Sequence, residues 1–219
     1  MIEARHIYKS YDNKEILKDV NLTLEDGRII TLLGESGIGK TTLLRIIALY
    51  EKPDQGQVLL DGKPITKLKD VKGQIQVIHQ HPFSSFNPKK RIIESLKEGI
   101  RELKICKKDD ELDYITQYLE RMNISKDAIY RYPEELSGGE LQRISISRAL
   151  AVKPRVLLCD EITSSLDAIN ARELVETIKN LKNKNIAILF ITHDLDIGRY
   201  IATDILELRD STLHPFCVS

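Results

Sequence analysis

The run Gly34-Glu35-Ser36-Gly37-Ile38-Gly39-Lys40-Thr41 constrains this chain more than any other stretch in it. It fits G-x-x-x-x-G-K-[ST] at every position. An apolar run, Ile29 to Leu33, precedes it, and Thr41 to Tyr50 follows with an apolar stripe at Leu43, Leu44, Ile46 and Ile47. Buried strand, glycine-rich turn and helix, in that order, are the setting in which this pattern has physical meaning. Its glycines let backbone N–H groups curl around phosphates without a Cβ in the way. The helix start adds partial positive charge. Lys40 is suited to neutralise β- and γ-phosphate oxygens, and the Thr41 hydroxyl to ligate Mg²⁺. The loop alone does not separate a kinase from a GTPase or a motor.

Further apolar runs at Ile75–Ile78, Val156–Cys159 and Ile186–Ile191 read as strands buried on both faces, with a helix from Ala168 to Lys182 between the last two. Strands of this kind alternating with helices predict a parallel α/β sheet, with ligands at the carboxyl ends of the strands. Glu3–Tyr8 and Val20–Leu24 alternate apolar and polar residues, and Val58–Leu60 runs into Asp61-Gly62 as half of a hairpin. A small antiparallel β portion is therefore expected near the N-terminus. Residues 81–145 are charged and helix-patterned, and the dense charge from Arg101 to Glu111 reads as a solvated helix face. The expected organisation is an α/β core of residues 1–80 and 146–219 with a helical lobe, 81–145, inserted.

Composition narrows the field. Lys+Arg and Asp+Glu balance at 33 each, so no global charge calls for nucleic acid or an anionic membrane. Cys106, Cys159 and Cys217 are too few and too scattered for a disulfide framework, which suits a reducing compartment. His214 and Cys217 have a chelating spacing, but a zinc site wants four ligands, so a surface tail is expected there. No apolar run approaches the ~20 residues a membrane span needs, and the start lacks a signal-peptide core.

Two more motifs carry chemistry. Val156 to Cys159 ends in Asp160-Glu161, and a buried strand delivering two acids needs a reason. Mg²⁺ supplies one for Asp160, and Glu161 is placed to polarise an attacking water as general base. Leu136-Ser137-Gly138-Gly139-Glu140 opens another helix, with Ser137 as a plausible N-cap and two glycines leaving amides open. That is a second anion site by the same physics. One domain rarely needs two, whereas a dimer in which each subunit's second site covers the other's nucleotide would use both.

With these residues in hand, the sequence closely resembles the nucleotide-binding domains of ABC transporters over nearly its whole length, with the motifs in family order. The resemblance implies a P-loop NTPase core of the RecA-like type that hydrolyses ATP with Mg²⁺. Tyr11 corresponds to the aromatic that stacks on adenine. The loop residues Gly34, Glu35, Ser36, Gly37, Ile38, Gly39, Lys40, Thr41 and Thr42 contact ATP, as do Ser137, Gly138 and Gly139. Thr41, Gln80 and Asp160 attend the metal, and Gln80 also reaches the lytic water and senses the transmembrane partner. Glu161, His193, Lys40 and Gln80 form the catalytic set, with His193 on the γ-phosphate. Ser137, Gly139, Ser165 and Asp167 face the dimer interface.

The implied partners are a second ATP-binding subunit (identical or a paralogue), transmembrane permease subunits and an extracytoplasmic solute-binding protein, with no nucleic acid. The implied place is the cytoplasmic face of the membrane. Gln80-His81-Pro82-Phe83-Ser84-Ser85-Phe86-Asn87-Pro88 and Asp160-Glu161-Ile162-Thr163-Ser164 look like segments of importers of peptides, nickel and metal chelates. Ile162, His81 and Glu140 stand where proline, aspartate and glutamine are more usual, and none of these changes removes a catalytic group. ABC-type ATPases of DNA repair or translation are the rival class. They carry coiled-coil or zinc modules, or two motor units, and this chain has neither. A small-molecule kinase would have no use for Leu136–Glu140.

Overall fold

A computed structural model of the chain describes residues 1–164 and 166–216. Two sheets organise it. The chain opens with β1 (Ile2–Tyr11) and β2 (Lys14–Leu24), passes to β3 (Ile29–Leu33) and α1 (Lys40–Ile47), then returns with β4 (Gln55–Leu60) and β5 (Lys63–Ile65). The first, fourth, second and fifth of these strands make the antiparallel sheet, in the order β2-β1-β4-β5. Next come β6 (Ile75–Ile78), α2 (Ile92–Glu102), α3 (Glu111–Glu120), α4 (Gly138–Ala151) and β7 (Val156–Asp160). The chain ends through α5 (Ala168–Asn180), β8 (Ala187–Ile191), α6 (Leu195–Ile201), β9 (Asp204–Arg209) and β10 (Thr212–Pro215). The second sheet has the order β10-β9-β3-β8-β7-β6. It is parallel from β9 to β6, and β10 turns back antiparallel on β9.

The continuous apolar runs explain this layering. In β7, Val156 and Leu158 face the antiparallel sheet and α1, while Leu157 and Cys159 face the helices. In β8, Ala187, Leu189 and Ile191 take the first side and Ile188 and Phe190 the second. The period-2 alternation of a strand thus feeds two cores, so these strands are apolar throughout except for Asp160 at the end of β7. Phe190 is fully buried on the helix side. Phe190→Ala is expected to destabilise the fold by about 3–5 kcal/mol, read by urea unfolding.

The lobe has its own logic. The charge run 101–111 does more than meet solvent: the Glu111 carboxylate is buried, and Arg101 donates to both its oxygens at 2.7 Å. Arg101 holds the Glu111 carboxyl below its usual range despite the burial. α4 continues through residue 145, the expected end of the lobe, to Ala151. α1 ends with its apolar stripe at Ile47, short of the expected Tyr50, and Leu49 just beyond takes φ 60°. Ser165 and Cys217 lie outside the described residues. Among the described residues, no helix is long and apolar enough to cross a membrane.

Candidate nucleotide site

β3, β8 and β7 lie side by side in parallel, so their carboxyl ends reach one edge of the sheet together. The glycine loop leaves β3 there, Asp160-Glu161 leave β7, and Thr192-His193 leave β8. The Glu161 N–H donates to the Ile191 carbonyl at 3.1 Å, tying two of these exits.

Two glycines of the loop are required by close approach. A Cβ on Gly34 would sit 2.8 Å from the Leu208 carbonyl oxygen, and one on Gly39 would sit 2.7 Å from Ile16 Cγ2. Both also have positive φ, 149° and 121°. Gly39 caps α1 without a side chain, so nothing from the cap competes for the first-turn amides. Lys40 is buried, and its ammonium donates to the Gly34 and Glu35 carbonyls at 2.7 and 2.8 Å. Burial depresses its pKa, while nearby Glu161 and Asp160 push the other way.

Asp160 is 9% exposed. Thr41 Oγ1 donates to it at 3.2 Å. Burial raises its carboxyl pKa, more than the Thr41 hydrogen bond lowers it. Glu161 is the hub of the edge. It sits at φ 47°, a left-handed conformation unusual outside glycine. One of its carboxylate oxygens lies 3.9 Å from Lys40 Nζ. The other accepts from Gln80 Nε2 at 3.4 Å and lies 3.7 Å from His193 Nδ1. The structure thus gathers Lys40, Thr41, Gln80, Asp160, Glu161 and His193 around one carboxylate pair.

Ser164, which the sequence places in a family segment without a role of its own, joins them. Gln80 Nε2 donates to Ser164 Oγ at 3.1 Å, and that hydroxyl donates to the Glu161 carbonyl at 2.9 Å. A hydroxyl one turn after the acid was the available signal. On the antiparallel sheet, the Tyr11 hydroxyl hydrogen-bonds to Glu51, with Thr42 beside it and the Lys9 ammonium 5.3 Å from the ring. Glu51, too, was not singled out from sequence.

The Leu136–Glu140 turn stands apart. Among the described residues, no hydrogen bond or ion pair joins it to residues 34–42. Ser137 is the N-cap of α4, as expected, and Glu140 closes a capping box with it. A Cβ on Gly138 would meet open space. Asp167 caps α5 by accepting from the Ile169 and Asn170 amides. Asn170 in turn accepts from Arg143 of α4 at 2.7 Å, linking the two helix starts. One chain therefore presents two separate glycine-flanked helix starts, those of α1 and α4.

Comparison with known proteins agrees with this picture. The family model described as ABC transporter matches residues 17–164. The nickel import ATP-binding protein NikE of Escherichia coli (strain K12) is 37% identical over 191 residues, covering 84% of this chain and 71% of that protein. The nickel import system ATP-binding protein NikE of Staphylococcus aureus (strain bovine RF122 / ET3-1) is 36% identical over 219 residues, covering 97% and 88%. The dimeric post-hydrolysis state of the ATP-binding cassette MJ0796, bound to ADP and Pi, superposes with a TM-score of 0.86 at 24% identity over 100% of both chains. The cbiO1 structure from Clostridium perfringens, part of the ABC transporter complex cbiONQ, gives 0.85 at 23% identity over 97% of this chain and 86% of that one. The two structures share the fold, and the sequence matches show more: this chain belongs to the ABC transporter family, as an ATP-binding subunit that hydrolyses ATP.

Proposed function

We propose that the chain drives uptake of nickel, free or chelated, through a separate pair of permease subunits at the cytoplasmic face of the membrane, with an extracytoplasmic binding protein delivering the cargo. The single observation that carries the cargo is likeness to nickel import ATP-binding proteins of two organisms over 84% and 97% of the chain. Peptides or other metal chelates are the wider class to which the residues after Gln80 point.

The catalytic reading follows from the site. Asp160 is a buried carboxylate that accepts from one hydroxyl and is raised in pKa by its burial, a cost that a divalent cation held by Asp160 and Thr41 would relieve. Mg²⁺ there would supply neutralisation of the β- and γ-phosphate oxygens. Lys40 exchanges the Gly34 and Glu35 carbonyls for phosphate oxygens, with the loop amides around them. Glu161 takes the proton of the attacking water, and Gln80 and His193 orient that water and the γ-phosphate. Ser137 and Gly139 come from the facing subunit, a second copy or a paralogue, with Ser165 and Asp167 along the contact. The core, 1–80 and 146–219, holds the nucleotide, and the lobe, 81–145, with the Gln80 loop meets the permease. ATP bridges the subunits and hydrolysis removes the bridge, a switch driven by differential affinity.

Cells deleted for this chain should accumulate several-fold less nickel from a dilute medium. Wild-type chain should restore uptake, and Glu161→Gln should not. Unchanged nickel accumulation in the deleted cells, with peptide or chelate uptake lost instead, would reassign the cargo.

A further inference from the structure

The capping box at the start of α4 has a polarity that bears on the second anion site. A serine hydroxyl has one proton and two lone pairs. Ser137 spends its proton on Glu140 Oε2, at 2.8 Å. It spends one lone pair on the Glu140 N–H, at 3.2 Å. The same Oε2 also accepts the Ser137 N–H, at 2.9 Å. What Ser137 has left to turn outward is a lone pair, beside a full carboxylate charge. The bonds from Ser137 hold the Glu140 carboxyl below its usual pKa, with Arg131 and Arg143 contributing, so it is ionised at neutral pH. An anion arriving at Gly138 and Gly139 thus meets open amides and an opposing charge.

We propose that Glu140 is a positioning residue that holds Ser137 in a non-donating state and so keeps the bridged, ATP-loaded assembly short-lived. The inference rests on the reading that Ser137 of one subunit meets the γ-phosphate held by the other. To donate to that phosphate, Ser137 must give up a charge-assisted hydrogen bond, and the phosphate must settle within one turn of a like charge. Glutamine at this position removes the charge and keeps the cap. A capping box accepts glutamate or glutamine. A glutamine carbonyl in the place of Oε2 still takes the Ser137 N–H, but as a neutral acceptor it holds the serine proton less strongly, so the hydroxyl turns outward at lower cost and the like charge is gone. Alanine removes box and charge together.

The test uses the Glu161→Gln background, paired with itself or with the paralogous subunit, and Mg·ATP as the probe. Association is followed by analytical ultracentrifugation. Adding Glu140→Gln should tighten ATP-dependent pairing about fivefold to twentyfold at low salt, with the gap narrowing in high salt. In the hydrolysing protein the same change should lower the KM for ATP more than it alters kcat. The melting midpoint should stay within about 2 °C, since the cap survives, whereas Glu140→Ala should lower it. Pairing that is unchanged or weaker in Glu140→Gln, with the midpoint preserved, overturns the inference and leaves the reading of the site standing. No ATP-dependent pairing in any combination overturns that reading and the inference with it.

Discussion

Glu161→Gln should keep ATP and all but stop its hydrolysis. The carboxylate lies between Lys40, Gln80 and His193, at 3.9, 3.4 and 3.7 Å, where a water beside the γ-phosphate would meet it. An amide of the same shape preserves the packing but cannot accept the proton. General-base catalysis is worth roughly 10²–10⁴-fold, so single-turnover hydrolysis should slow by at least about 100-fold. Binding should persist, because the proposed phosphate contacts, Lys40, the loop amides and the facing turn, do not involve Glu161. With the chemistry blocked, the ATP-bridged dimer should accumulate and be visible by size-exclusion chromatography. Undiminished hydrolysis would remove Glu161 from the base role.

Asp160→Asn should separate stability from activity. The carboxylate is nearly buried and its pKa is raised chiefly by that burial, which the Thr41 hydroxyl at 3.2 Å and the more distant His79 and Lys40 offset only in part. The sign follows from linkage. A carboxyl with a raised folded pKa binds its proton more tightly in the native state. Stability therefore falls as pH rises from the ordinary carboxylate value, about 3.9, through the folded value, and the penalty is complete above it. Asparagine is neutral throughout. At pH 7 the variant without nucleotide should gain about 1 kcal/mol, a melting rise of roughly 2–4 °C for a chain this size. The gain should shrink as the pH falls toward 4. Hydrolysis supported by Mg²⁺ should drop by about 100-fold or more, the trade expected where a functional site keeps an unfavourable charge. A variant less stable than wild type at pH 7 would mean that the Thr41 hydrogen bond outweighs burial.

The parallel sheet was legible because its strands are buried on two faces. Val156–Cys159 and Ala187–Ile191 have no polar residue to hide, and a continuous apolar run admits few other readings. The glycine loop was legible because its spacing is dictated by phosphate geometry, and Gly34 and Gly39 would clash with any side chain. Other features depend on partners far away in the chain. Arg101–Glu111 reads as surface charge until folding brings the start of α3 against α2 and buries the glutamate. Glu51 gains meaning only when β1 brings Tyr11 to it, forty residues upstream. Ser164 looked like one hydroxyl among several in a loop, and its bonds to Gln80 and Glu161 need β6 and β7 as neighbours. Capping at Ser137 and Asp167 was within reach of sequence. The direction in which Glu140 pulls the serine proton was not, because donor and acceptor roles are settled by geometry.

The decisive measurement is a high-resolution structure of the Glu161→Gln protein loaded with Mg·ATP, free and with its paired subunit. The nucleotide held by Lys40 of one subunit should have its γ-phosphate about 3 Å from Ser137 Oγ and the Gly139 amide of the other, with the Ser137 hydroxyl turned off Glu140. A nucleotide seated on Lys40 with bare solvent beyond its γ-phosphate, and Ser137 still bonded to Glu140 in every pairing, would show that the two helix starts do not share one ATP.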